Sequence, residues 1–115
     1  MKKITLTCAH ALVKYLIAQK ILINGKKEPL FPGVFGIFGH GNVACLGQAL
    51  EENQNELPTY RGHHEQNMAL TGIGYARAKR RQQIFVATSS VGPGATNMVT
   101  AAAVAMSNRL PILFL

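Results

Sequence analysis

The chain has 115 residues, 48% of them hydrophobic, which is enough for one domain with its own core. Two cysteines are too few for a disulfide scaffold, and no apolar run is long enough to span a bilayer as a helix. Twelve basic against five acidic residues give a formal charge of +7, but the cations are scattered. Their one cluster, Lys79-Arg80-Arg81, falls where a helix C-terminus favours cations, and the aromatic interleaving of a nucleic-acid surface is missing. The Met1-Lys2-Lys3 start is followed by His10, Lys14 and Lys20 rather than by a signal peptide's uncharged apolar stretch. A cytoplasmic protein with no nucleic-acid or membrane partner is the expectation.

Taken in chain order, Thr7 can cap a first helix running to about Gln19, with Ala9, Leu12, Val13 and Leu16 at helical spacing. Asn24-Gly25 after the β-prone Ile21-Leu22-Ile23 marks a tight hairpin turn. Gly33 to Phe38, bounded by Pro32 and Gly39, suits a buried parallel strand, followed by a helix from about Asn42 to Glu52. Leu57 to Tyr60 reads as a strand, Glu65 to Lys79 as a long helix and Ile84 to Thr88 as a strand. Ala95 to Ser107 reads as an Ala-rich helix, and Ile112 to Leu115 opens a further strand. Cys8 and Cys45, in apolar segments, are expected as reduced core residues, as are Met68, Met98 and Met106.

Strands alternating with helices of this length predict an α/β fold, a parallel sheet with helices on both faces. Ligands of such sheets lie beyond the carboxyl ends of the strands. The loops expected there are Gly39-His40-Gly41-Asn42, Arg61-Gly62-His63-His64-Glu65, and Ser89-Ser90-Val91-Gly92-Pro93-Gly94-Ala95-Thr96-Asn97. Because Leu115 closes an apolar strand with nothing over it, more protein is expected to follow.

Gly92 to Asn97 leads toward a helix whose N-terminus can receive an anion or polar heterocycle, but it lacks the lysine of a phosphate loop and the three-glycine dinucleotide pattern. An ordinary strand-to-helix turn capped by Thr96 or Asn97 explains it about as well. Glu65 reads equally as a helix-end acid favoured by the dipole and as a partly desolvated carboxyl with a raised pKa. His63 and His64 adjoin and His40 is on another loop, without the ligand spacing of a metal site. The nucleophile-elbow pattern around Ser89 and Ser90 is absent.

Together, Tyr60-Arg61-Gly62-His63-His64-Glu65-Gln66, Gly74-Tyr75-Ala76-Arg77-Ala78 and Gly92 to Asn97 resemble, in order and spacing, the thiamin-diphosphate enzymes of the acetolactate-synthase group. The resemblance covers most of Val34 to Leu115. Within that family the branch of trihydroxycyclohexanedione hydrolases of myo-inositol catabolism is most similar, in Gly36-Ile37-Phe38-Gly39-His40-Gly41-Asn42-Val43 and in Thr88-Ser89-Ser90-Val91-Gly92-Pro93-Gly94. Relative to the wider family, the last loop is longer by two residues, Ser90 and Val91 in the simplest alignment. An acetolactate-synthase-like carboligase or decarboxylase is the runner-up, and a non-catalytic flavodoxin-like binding domain is the rival from another class.

The resemblance implies an N-terminal pyrimidine-binding domain. In it Glu65 is the catalytic acid, bonded to N1′ of the cofactor's aminopyrimidine and favouring its imino tautomer. Ile37, Phe38, Gly39, His40, Pro93 and Asn97 would surround that ring, and His40, His64 and Ser90 would face a small cyclic dione. Central and diphosphate-binding domains, with the Mg²⁺, would belong to the rest of the protein, since no Gly-Asp-Gly followed by paired asparagines occurs in residues 1–115. The family also implies a homodimer or homotetramer.

Overall fold

A computed structural model describes residues 3–115; Met1 and Lys2 lie outside the described residues. The chain opens with α1 (Cys8–Ala18), whose N-cap Thr7 accepts a hydrogen bond from the His10 backbone N–H and so satisfies one of the free amides of the first turn. Val13 and Leu16 point inward from it. β1 (Lys20–Ile23) and β2 (Lys26–Pro29) form an antiparallel hairpin. Its two turn residues, Asn24 and Gly25, both have positive φ, 51° and 79°, the primed-turn geometry that an Asn-Gly pair adopts at least cost.

The main sheet contains β3 (Val34–Gly36), β4 (Thr59–Arg61), β5 (Val86–Thr88) and β6 (Leu113–Phe114). Its spatial order is β4-β3-β5-β6 and every pairing is parallel. Parallel neighbours need crossovers, and helices supply them. Between β3 and β4 come α2 (Gly39–Asn42), a π-helical stretch over Val43–Gly47 and α3 (Gln48–Glu52). Between β4 and β5 comes α4 (Glu65–Ala78), and between β5 and β6 come α5 (Pro93–Thr96) and α6 (Val99–Asn108).

The sheet is covered on both faces, as its composition predicts. On one face Val34 and Val86 pack with Val13 and Leu16 of α1, Leu46 of the π stretch and Ala49 and Leu50 of α3. On the other, Ala87 packs with Ala69 and Ile73 of α4 and Ala101 and Ala105 of α6. Val86 and Ala87 thus go to opposite cores, which follows from the two-residue period of a strand. Gly72 lets α4 lie close on the sheet, since a Cβ there would come within 3.1 Å of Ile112 and 3.2 Å of Phe85.

Several expectations change. Cys8 and Cys45 are free as expected, but both are exposed rather than buried. Cys8 begins α1 on the side away from Val13, and Cys45 adjoins the buried Leu46 without sharing its direction. Met68 and Met98 are core residues, whereas Met106 is 81% exposed, because α6 buries only Ala101 and Ala105. The helix expected over Ala95 to Ser107 is broken at Asn97-Met98 into α5 and α6. Lys79 to Arg81 do close α4, with Lys79 as C-cap and the Arg81 N–H bonded to the Ala76 carbonyl at 2.8 Å.

Candidate active site

The sheet reverses its direction of growth at β3: β4 is laid on one side of it and β5 on the other. The loops leaving the carboxyl ends of β3 and β5 therefore diverge around a crevice, the usual ligand position of an open α/β sheet. Here that crevice is bridged. The Ile37 N–H bonds the Thr88 carbonyl at 3.2 Å and Asn42 Nδ2 donates to the Ser89 carbonyl at 2.9 Å. Gly39, at φ 58°, lies so close to Ser90 that a Cβ on it would be 2.6 Å from the serine Cβ.

Glu65 is the first residue of α4, on the loop leaving β4, and is half-buried. Asn97, at the break between α5 and α6, donates from Nδ2 to Glu65 Oε2 at 3.1 Å. The other oxygen, Oε1, lies 3.0 Å from where a Cβ on Gly94 would be, and Ser90 Oγ lies 2.5 Å from the same point. The absence of a side chain at Gly94 thus makes room for both groups. The bond from Asn97, then a backbone N–H, stabilises the ionised carboxylate and holds the Glu65 pKa below its ordinary value, against a smaller opposing effect of desolvation. Of the two readings of Glu65, the raised pKa is not the one met in this chain, because the carboxylate is hydrogen-bonded and open to water rather than enclosed.

Ile37, Phe38, Gly39 and His40 line a cleft of about 670 Å³ with Gly36, Val43, Glu51, Gln54, Thr59 and Arg61. Glu65, Pro93 and Asn97 are not among its walls. Phe38 folds its ring back toward Gly36 and Gly47, 2.8 Å and 3.5 Å from the points their Cβ atoms would occupy. His64, the N-cap position of α4, lines a separate groove of about 270 Å³ with Phe35, Arg61, His63, Asn67, Met68 and Thr71. His40 and His64 are thus in different clefts, and among the described residues no three His, Cys, Asp or Glu side chains gather as a metal site would require. Asn42 and Arg61 were not singled out as site residues. Asn42 stood in the Gly-His-Gly-Asn loop, but its bond to Ser89 spans 47 residues and has no local signature.

Residues 27–115 match the thiamine pyrophosphate enzyme, N-terminal TPP binding domain family. The chain belongs to this family. Among curated relatives, the 3D-(3,5/4)-trihydroxycyclohexane-1,2-dione hydrolase of Geobacillus thermodenitrificans is 55% identical over 115 residues, all of this chain and 18% of the relative. The corresponding hydrolases of Clostridium tetani and Listeria innocua are each 50% identical, over 115 and 114 residues, again covering 18% of those proteins. The chain spans less than a fifth of the relatives it matches.

The residues present suit the family's pyrimidine ring. A carboxyl with one oxygen uncommitted to Asn97 can meet a ring nitrogen, and Ile37, Phe38 and Pro93 offer apolar surface at the same end of the sheet. Gly39 and Gly94 leave the backbone bare on both sides of Ser90.

Proposed function

We propose that this chain is the N-terminal part of the pyrimidine-binding domain of a thiamin-diphosphate-dependent hydrolase. The substrate is trihydroxycyclohexane-1,2-dione, whose ring is opened by C–C cleavage to 5-deoxyglucuronate in myo-inositol catabolism. The observation that carries this reading is identity of 50–55% along the chain to hydrolases of that name. The two-residue-longer loop at Ser90-Val91, at the crevice, supports it over an acetolactate-synthase-like carboligase.

Glu65 is the catalytic acid. With Oε2 held by Asn97, Oε1 is the oxygen free to share a proton with the pyrimidine N1′. Covering of the site by the rest of the protein removes water from the carboxylate and raises its pKa toward that task. Ile37, Phe38, Gly39, His40, Pro93 and Asn97 orient the ring, while His40, His64 and Ser90 border the substrate. When bound, the cofactor supplies the nucleophilic carbon and the electron sink that C–C cleavage needs. Its diphosphate and Mg²⁺ are assigned to the remainder of the protein, which acts in the cytoplasm as a homodimer or homotetramer.

The test is Glu65→Gln in the whole protein. Wild type opens the cyclic dione in the presence of thiamin diphosphate and Mg²⁺, while the variant keeps its circular dichroism, loses most turnover and slows C2–H exchange of bound cofactor. Unchanged exchange overturns the role of Glu65, and a wild type inert toward the dione overturns the substrate.

A further inference from the structure

The backbone around Ser90 is held on both sides. Asn42 Nδ2 donates to the carbonyl of Ser89 at 2.9 Å, and Ser89 Oγ donates to the carbonyl of Ser90 at 3.0 Å. With its Cα fixed, the Ser90 side chain occupies the gap between two glycines. Its Cβ meets Gly39 and its Oγ is turned to the bare face of Gly94, where Glu65 Oε1 also arrives. Asn97 donates to Oε2, while Oε1 and the Ser90 hydroxyl share the space that the missing Gly94 side chain leaves. We propose that Ser90 is a positioning residue for Glu65, its wedged hydroxyl fixing Oε1 toward the pyrimidine ring. The inference rests on the function proposed above and deepens it by turning Ser90 toward the acid as well as the substrate.

The physical reason is rotational freedom. A glutamate at the first position of a helix has three side-chain torsions, and its one side-chain partner, Asn97 at Oε2, leaves the carboxylate plane room to swing about that contact. A second polar group beside Oε1 narrows the swing, and orientation of a catalytic group is worth orders of magnitude in rate. The two glycines are the space requirement of the device.

The test uses full-length holoenzyme and reads C2–H exchange of bound thiamin diphosphate, cofactor affinity by fluorescence quenching, and the pH profile of exchange, none of which depends on the substrate. Ser90→Ala removes one oxygen. It should retain native melting and cofactor affinity within twofold while exchange slows about tenfold, as expected when a catalytic group loses part of its orientation. The acid limb of the exchange profile should move with it, and Ser90→Cys should restore part of the loss. Gly94→Ala puts a methyl on the hydroxyl, so it should slow exchange on its own, and the double variant Ser90→Ala/Gly94→Ala should be less impaired than the two single effects multiplied. Exchange within twofold of wild type in Ser90→Ala overturns the proposal, including when KM for the dione rises, since that places Ser90 on the substrate alone. Strictly multiplicative single effects overturn it too. Failure of the dione to react while the exchange results hold would sink the substrate assignment and leave Ser90's role standing.

Discussion

Asn97 reaches across 32 residues of sequence to donate to one oxygen of the Glu65 carboxylate at 3.1 Å. That bond is the largest cause of the low Glu65 pKa, with desolvation acting the other way. A carboxyl whose folded pKa is depressed adds stability above its ordinary value of 4.5, and the contribution is lost as pH falls through the folded value. Asn97→Ala should therefore raise the Glu65 pKa in an NMR carboxyl titration and reduce the share of acid-side destabilisation that Glu65 contributes. A titration identical to wild type would mean the bond is too weak in solution to matter.

His10 and Glu52 tie α1 to α3 through a 2.8 Å contact between Nε2 and Oε2, and Gln48 donates to the other carboxylate oxygen at 3.0 Å. The bond to His10, then that to Gln48, lowers the Glu52 pKa from 4.5. By the same sign rule this contribution is intact above pH 4.5 and fades as pH falls below it. Glu52→Gln should flatten the acid side of the melting-temperature profile and leave little difference at the lowest pH. Parallel profiles for the two proteins would show that the tie carries no pH-dependent stability.

Gly25 and Gly39 both have positive φ, 79° and 58°, yet only Gly39 has a neighbour in the way of a side chain. Gly25→Ala should cost about 1–2 kcal/mol, the backbone penalty alone, by urea denaturation. Gly39→Ala should cost more, because its methyl meets the Ser90 Cβ, and Ser90→Gly should recover only that excess. Equal costs at the two sites would contradict the crowding at Gly39.

Cys8 and Cys45 are exposed in the fold. Both should react with a thiol reagent in the folded chain at rates near those of the denatured one, and a protected thiol in native buffer would contradict that exposure. Substituting both by serine should leave the melting temperature within about 2 °C, since surface changes stay within about 0.5 kcal/mol.

Most of the frame was legible because it rests on local rules. Thr7, Asn24-Gly25 and the apolar run around Val34 each announce their element within a few residues. The family motifs likewise drew attention to Glu65, since they are contiguous strings. What escaped was set by tertiary packing. The orientation of Cys45 depends on the π-helical phase of its segment, and the outward turn of Met106 on which stripe of α6 meets α4. Asn97 suits a helix cap, but the alanine-rich sequence around it favours one continuous helix over the break seen there. The two readings of Glu65 could not be separated for a related reason: its apolar neighbours in sequence allow burial, while the partner that lowers its pKa lies on another loop.

The π-helical turns over Val43–Gly47 have a consequence for engineering this loop. A π stretch amounts to one residue inserted into an α-helix, and each residue advances the helix by about 100°. Deleting a single residue there would regularise the helix and rotate Asn42 away from the Ser89 carbonyl while α3 kept its place in the core. The crevice would lose the strap between its two lips with no residue of the strap itself altered.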